Sequence, residues 1–302
     1  MVASLAPALR TPAASFAYNP GLRIALATCA DVPELDEDGP ALVAALRRRG
    51  ADPVAAVWDD PVVDWSRFEL VVLRSTWDYA ERRDEFLAWV ERLPRVVNPP
   101  AVVRWNTDKA YLAELAAAGV PVVPTTFVEP GDALEPPPRR FVIKPRMSAG
   151  GRGTASYEAH ELELARRHLE TLHAAGRPAL LQPYLEGIDL AGEAALIWIG
   201  GEYSHAITKS ALLRPGQTPG TQLFLAETIA AREASAAERG AAEQALAALP
   251  FGPRALAYAR VDLLPADDGP VVLEVELTEP SLYLTCDPIA ADRFADAIVE
   301  AR

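Results

Sequence analysis

The sequence has few of the residues that build disulfide frameworks or metal sites based on sulfur and nitrogen. It contains two cysteines, Cys29 and Cys286, in 302 residues, too few for a disulfide framework or a thiolate zinc site. None of its histidines shows the HExxH spacing of a zinc-binding helix. Most of them, His168 included, fall on a helix expected at 158–175, and we expect them to be solvated and not catalytic. We therefore expect a reducing cytoplasm as the compartment.

Long apolar runs and excess positive charge are also missing. No apolar stretch approaches the roughly 20 residues that cross a bilayer. Residues 1–20 lack the pattern of a secretory signal and are expected to form a flexible tail. The net charge of −13 disfavours nucleic acid and membranes as partners. We expect a small-molecule substrate, and the sequence allows a homodimer.

Two common nucleotide-binding signatures are absent. The chain has no GxxxxGK[ST] and no complete GxGxxG, which excludes a Walker loop and a dinucleotide-binding fingerprint. Half of the residues are apolar and 24% are charged, values typical of a globular protein with two or more subdomains.

Apolar periodicity and turn residues predict an α/β unit followed by a longer α+β unit. In residues 21–100, strands alternate with helices, which favours a parallel sheet; the strands are at 23–28, 53–57 and 70–73, and the helices at 40–49 and 84–93. Residues 101–302 contain hairpin patterns instead. Their strands are expected at 141–144, 179–182, 194–199, 202–208, 257–264 and 270–277, and their helices at 107–118, 158–175, 231–249 and 289–302.

Acidic residues occupy alternate positions of the last two predicted strands. Glu274 and Glu276 share one strand face, as do Arg260 and Asp262 on the neighbouring strand. If the strands pair, the carboxylates converge and need a cation, and an all-oxygen ligand set suits Mg²⁺. The alternative is a solvated face of an edge hairpin.

A glycine-rich loop follows a strand that ends in Lys144. Residues 148–154 read SAGGRGT, and exposed backbone amides in such a loop can bind phosphate. An ordinary glycine-rich turn is the alternative. Arg74, Lys209 and Arg214 are further candidates for binding carboxylate or phosphate; the alternatives are a helix N-terminus at Arg74 and a solvated surface position for Arg214. Gln182, Tyr184 and Glu193 are candidates for binding a nucleoside, and the alternative is a plain strand-to-loop transition.

The order of these motifs resembles that of the ATP-grasp superfamily over residues 100–285. The resemblance implies a Rossmann-like pre-ATP-grasp domain at 21–100 and an ATP-grasp domain at 101–302, whose small lobe spans about 120–185 and whose large lobe spans about 186–302. It also implies that ATP lies between the two lobes. Many members carry Asn where this chain has Glu276.

The resemblance implies a role for each candidate. The phosphates would be bound by Lys109, Lys144 and the loop residues Ser148, Gly150, Gly151, Gly153 and Thr154. The adenosine would lie against Gln182, Tyr184, Leu185 and Glu193. Asp262, Glu274 and Glu276 would bind Mg²⁺, whereas Arg260, Lys209 and Arg74 would hold the reacting phosphate or the substrate carboxylate. The glycine loop and residues 215–221 would form lids that exclude water.

Three further segments, LRSTWDY (73–79), VVRWNTDKAYL (102–112) and LEVELTEPSLYL (273–284), resemble the subgroup that contains the cycloserine-forming cyclo-ligase of antibiotic biosynthesis. In that reaction, O-ureido-serine is activated at its carboxylate and closed into a ring. The resemblance implies an ADP-forming carbon–nitrogen ligase. An intermolecular amino-acid ligase of the glutathione-synthetase type and a non-catalytic ATP sensor are the alternatives.

Overall fold

The computed structural model describes residues 21–211, 213, 228–252 and 255–301. The expected tail at 1–20, Arg214 and the candidate lid at 215–221 lie outside the described residues. The boundaries of the domains and lobes stay a prediction.

The first unit is a parallel sheet with helices packed on it. Its strands are β1 (Arg23–Thr28), β2 (Asp52–Val57), β3 (Leu70–Ser75) and β4 (Val96–Val97), and its helices are α1 (Gly39–Arg48) and α2 (Arg83–Val90). The strand order is β2-β1-β3-β4. β1 and β3 are almost wholly buried, as the continuous apolar runs of a sheet covered on both faces require. Arg74 is the next-to-last residue of β3 and lies at the carboxyl end of the strand.

A smaller antiparallel sheet carries Lys144 and the glycine loop. It follows α3 (Pro100–Asn106) and α4 (Tyr111–Ala117) and consists of β5 (Thr126–Val128), β6 (Phe141–Pro145), β7 (Ala155–Tyr157) and β8 (Ala179–Pro183) in the order β5-β8-β6-β7. Helix α5 (Leu162–Ala174) covers one face by packing Leu169 and Leu172 on Phe141. The glycine loop connects β6 to β7, so it forms the turn of a hairpin.

The large sheet is antiparallel, with the strand order β11-β10-β9-β12-β13. Its elements are α6 (Gly187–Ala191), β9 (Glu193–Ile199), β10 (Glu202–Lys209), β11 (Ile229–Arg232), α7 (Ala236–Ala247), β12 (Tyr258–Ala266), β13 (Gly269–Glu276) and α8 (Ala290–Glu300). Alternate residues of β9 face opposite cores, because side chains alternate along a strand. Ile197 packs with α8 and the first unit, whereas Leu196 packs with α7.

Buried polar side chains join the first unit to the large sheet. The guanidinium of Arg49, just after α1, bonds both Asp292 and Asp296 of α8. The Asn98 side chain donates to the carbonyls of Tyr258 and Leu277. These bonds bring the carboxyl end of β3 next to the chain that follows β13.

Three sequence expectations about elements were wrong. The helix expected at 107–118 begins only at Tyr111, because the Asp108 carboxylate accepts from the Ala110 amide and the Lys109 amide bonds the Arg146 carbonyl. The helix expected at 231–249 begins at Ala236, after a capping box at Ser235, and residues 229–232 form β11 instead.

The third concerns His168, which the sequence placed on an exposed helix. It is buried, in contact with the Tyr157 ring, and burial lowers its pKa to about 4. Among the described residues, no helix is long and apolar enough to span a bilayer.

Candidate active site

The paired strands β12 and β13 bring the acidic residues together. Asp262 lies opposite Glu274 and Arg260 lies opposite Glu276 in the strand register. The Asp262 carboxylate accepts two hydrogen bonds of 2.8 Å from Arg260 and one of 2.9 Å from the Lys209 ammonium. Arg260 also bonds Glu276. Because Asp262 is buried, this face is an ion-pair network and not a solvated hairpin surface.

Two further cations face the same carboxylates. The Lys109 ammonium lies 2.8 Å from a Glu274 oxygen and donates to the carbonyl of Ser148 at 2.8 Å. Lys144 is buried on β6; burial lowers its pKa to about 8, against the opposing charges of Glu274 and Glu193. The structure thus brings both predicted phosphate-binding lysines to the acidic strands.

The glycine loop approaches both the lysines and the first unit. Gly150, Gly151 and Gly153 have left-handed φ angles of 60°, 72° and 73°, which suit glycine because it has no Cβ. A Cβ on Gly153 would also lie 2.9 Å from Cγ of Pro145. Arg152 forms a 3.0 Å ion pair with Glu81 of the first unit. The loop therefore contacts the first unit through this ion pair.

The predicted nucleoside contacts are distributed over two places. Glu193, at the start of β9, pairs with Lys209 and so belongs to the ion-pair network. Gln182 donates to the Thr125 hydroxyl at 2.8 Å. The Tyr184 hydroxyl bonds Asp189, and the Arg140 guanidinium lies 3.5 Å from the centre of its ring. Leu185 follows Tyr184 beyond the end of β8, and its side chain is half-buried.

Arg74 contacts the segment that follows β13 and not the acidic strands themselves. Its side chain is 1% exposed. It donates to the Pro280 carbonyl at 3.0 Å and lies 3.6 Å from Asp38. The predicted contact of Arg74 with a substrate carboxylate stays a prediction, because its partners here are the Pro280 carbonyl and buried aspartates of the first unit.

Negative charge is crowded around the acidic strands. Burial, reinforced by Glu274 and Asp262, raises the pKa of Glu276 to about 7. Burial and Glu276 raise the pKa of Glu279 to about 8. The pKa of Asp262 is well below its usual value, because Arg260 and Lys209 outweigh the opposing effect of burial. Such crowding favours the binding of a further cation.

The donor set suits Mg²⁺ in its chemistry. Asp262, Glu274 and Glu276 offer only carboxylate oxygens, which hard divalent ions prefer. Within the described part of the chain, however, no three His, Cys, Asp or Glu side chains are arranged as a preformed metal site. Each of the three carboxylates forms an ion pair with a lysine or arginine. On binding, Mg²⁺ would replace the basic side chains at the carboxylates, and phosphate would replace the carboxylates at the basic side chains.

Two functional candidates were missed by the sequence reasoning. Glu279 follows β13 and is buried beside Tyr79. Asp38 immediately precedes α1, is buried and bonds the chain after β13. No local signal marks either one, since their partners lie far away in the sequence.

Comparison with known proteins identifies the family. The family model for the N-terminal domain of D-cycloserine synthetase DcsG matches residues 24–98. The cycloserine biosynthesis protein DcsG of Streptomyces lavendulae is 44% identical over an alignment of 299 residues, with 92% of this chain and 98% of that protein covered. This chain belongs to the DcsG family. The crystal structure of D-cycloserine synthetase DcsG has a TM-score of 0.84 at 42% identity, covering 92% of this chain and 99% of that one.

Wider structural similarity defines the fold. The D-alanine–D-alanine ligase from Bacillus anthracis, solved with ATP, has a TM-score of 0.66 at 16% identity, with 93% and 97% of the two chains covered. A RimK-domain ATP-grasp protein from Sphaerobacter thermophilus has a TM-score of 0.64 at 20% identity, with 92% and 99% covered. The chain has the ATP-grasp fold and is an ATP-grasp ligase of the DcsG family, which confirms the fold and enzyme class expected from the sequence.

Proposed function

We propose that this chain is an ATP- and Mg²⁺-dependent cyclo-ligase of antibiotic biosynthesis that acts on O-ureido-serine. Its similarity to DcsG extends over nearly the whole chain. The geometric observation that supports the proposal most strongly is the buried network in which Lys109, Lys209 and Arg260 face the carboxylates of β12 and β13. Such a network suits a reaction between two anions, a triphosphate and a carboxylate.

The basic residues would offset the charge of the triphosphate. Lys109 and Lys144 would exchange their carboxylate partners for phosphate oxygens, and Arg260 would stabilise the phosphoryl group during transfer. Phosphate beside Lys144 would favour its charged form, which burial now disfavours. Bound at Asp262, Glu274 and Glu276, Mg²⁺ would supply positive charge to the phosphate oxygens.

The reaction needs two transfers. A substrate carboxylate oxygen attacks the γ-phosphorus and ADP leaves, which gives an acyl phosphate. The ureido nitrogen that is bonded to oxygen then attacks the acyl carbon and loses its proton, and phosphate leaves as the ring closes. Water then removes the carbamoyl group from that nitrogen as carbamic acid, which breaks down to CO₂ and ammonia, and the ring N–H is formed. Lys209 and Arg260 lie where they could hold the carboxylate and the phosphate together. The glycine loop, tied to Glu81 through Arg152, would exclude water from the acyl phosphate.

The base and the ribose would lie along β8 and the start of β9. In this arrangement Gln182, Tyr184 and Leu185 border the adenine, Glu193 binds the ribose hydroxyls, and the residues of the glycine loop bind phosphate through their amides. The free thiols Cys29 and Cys286 suit a cytoplasmic enzyme.

The proposal is tested by ADP release from ATP and MgCl₂ in the presence of O-ureido-serine. We expect ADP release to depend on that compound, and we expect added hydroxylamine to trap a hydroxamate. Glu274→Gln should reduce the rate by at least about 100-fold, as expected for loss of a group that binds the reacting charge. Glu170→Gln, which changes an exposed carboxylate on α5, is the matched control and should leave the rate unchanged.

Two outcomes would contradict the proposal. ADP release that occurs only with two separate amino acids would favour an intermolecular ligase. ATP binding without hydroxamate from any carboxylate would favour a sensor.

A further inference from the structure

A six-residue segment that begins at the third residue after β13 has four of its carbonyls and two of its amides bonded to side chains. Consecutive carbonyls of this segment, Glu279–Leu284, each accept a side-chain hydrogen bond, from Trp77 to Glu279 at 3.1 Å, from Arg74 to Pro280 at 3.0 Å, from Arg260 to Ser281 at 3.0 Å and from His205 to Leu282 at 2.9 Å. Two of the donors come from the first unit and two from the large sheet. A loop fixed in this way has one backbone conformation, as a preorganised binding surface requires.

Two backbone amides of the same segment donate hydrogen bonds to a single carboxylate. Asp38 accepts from the Leu282 amide at 2.7 Å and from the Leu284 amide at 2.6 Å, through its two different oxygens. Its side chain is buried, so both bonds are shielded from water. A carboxylate acceptor makes such bonds shorter and stronger than bonds to a neutral acceptor. Asparagine could accept only one of the two bonds and would turn a donor NH₂ towards the other amide.

Tyr283 lies between those two amides in an unusual backbone conformation. Its φ and ψ are 51° and 45°, in the left-handed region, which is costly for a bulky side chain and persists only where the surroundings enforce it. The half-buried Tyr283 ring lies 5.7 Å from the Arg260 guanidinium. The strained residue is therefore the one that the segment presents to the ion-pair network.

We propose that Asp38 is a positioning residue that fixes the Glu279–Leu284 segment so that Tyr283 contacts the amino-acid substrate beside Arg260. Asp38 belongs to the first unit, whereas Arg260 belongs to the large sheet. In this arrangement the first unit affects binding of the carboxylate substrate through Asp38, whereas the lysines bind ATP. This inference rests on the proposed function for the identity of the substrate.

The first experiment compares D38N and Y283N with the wild type, with O-ureido-serine and ATP as the varied substrates. Y283N removes the ring but keeps a residue that tolerates the left-handed region. Each variant should raise KM for O-ureido-serine about 10- to 100-fold, the effect expected for a lost charge-assisted bond or buried ring contact. The affinity for AMPPNP should change less than about twofold. E37Q alters the exposed neighbouring carboxylate and should change neither quantity.

The double variant shows whether Asp38 acts through Tyr283. If it does, KM for O-ureido-serine in D38N/Y283N is no higher than in the more affected single variant, because both substitutions remove the same contact. The proposal would be overturned if the two increases in KM multiply in the double variant. It would also be overturned if D38N weakens AMPPNP binding as much as it raises KM for O-ureido-serine. If D38N does not fold, an unchanged KM in Y283N overturns it.

Hydrogen exchange separates this inference from the proposed function. The amides of Leu282 and Leu284 should be protected in the wild type and should exchange at least about 10-fold faster in D38N. This measurement needs no turnover, so it remains informative if O-ureido-serine is not the substrate. Equal protection in both proteins would refute the positioning role even if the enzyme is a cyclo-ligase.

Discussion

Replacing Arg49 by Met should weaken the attachment of the first unit to α8. The Arg49 side chain is 1% exposed and makes four hydrogen bonds of 2.6–2.8 Å to Asp292 and Asp296. Breaking a buried pair costs about 3–5 kcal/mol. We expect the lower end, because the two aspartates are 31% and 33% exposed. For a chain of this size, about 3 kcal/mol lowers Tm by roughly 6 °C.

The neighbouring Arg48 provides the matched control. Its side chain is 56% exposed and bonds the same Asp292, so Arg48→Met should cost less than about 1 kcal/mol. Thermal unfolding followed by circular dichroism, with urea unfolding as a second measure, compares the two variants at pH 7. Equal losses in both variants, or no loss in Arg49→Met, would refute the argument that burial determines the difference.

Three other substitutions test local features. Gly153→Ala should destabilise the chain more than Gly176→Ala, by about 1 kcal/mol or more in urea unfolding, because both have left-handed φ but only Gly153 has a neighbour that a Cβ would strike. Ser235→Ala should cost about 1 kcal/mol by removing the capping box of α7; no change in Tm would contradict this. His168 has a pKa of about 4 in the folded chain and about 6.5 when unfolded, so the unfolded state binds the extra proton and stability falls as pH falls from 6.5 to 4. Relative to His168→Asn, the wild type should lose up to about 3 kcal/mol across that range, and parallel losses would count against the assignment.

The acidic strand pair could be predicted because its signal is local. Alternation along β12 and β13, with a short turn between them, placed Asp262 near Glu274 without knowledge of the rest of the fold. The lysines needed the resemblance to the ATP-grasp superfamily, because Lys109 and Lys144 reach the strands through tertiary packing.

Residues that join the first unit to the large sheet could not be predicted. Asp38 bonds amides 244 and 246 residues away along the chain, and no periodicity records such a contact. His168 was misread because it lies on an amphipathic helix whose buried face includes it. The helix expected at 107–118 was misread because the Lys109 amide bonds the backbone of Arg146, a tertiary contact that overrides helix propensity.

The central claim is that triphosphate and Mg²⁺ are held between the lysines and the carboxylates of β12 and β13. Calorimetric titration of AMPPNP, with and without MgCl₂, tests it directly in the wild type, Lys144→Met and Glu274→Gln. MgCl₂ should tighten AMPPNP binding to the wild type and to Lys144→Met but not to Glu274→Gln, and Lys144→Met should bind AMPPNP at least about 10-fold more weakly than the wild type in both buffers. Wild-type affinity and an unchanged response to MgCl₂ in both variants would contradict the claim.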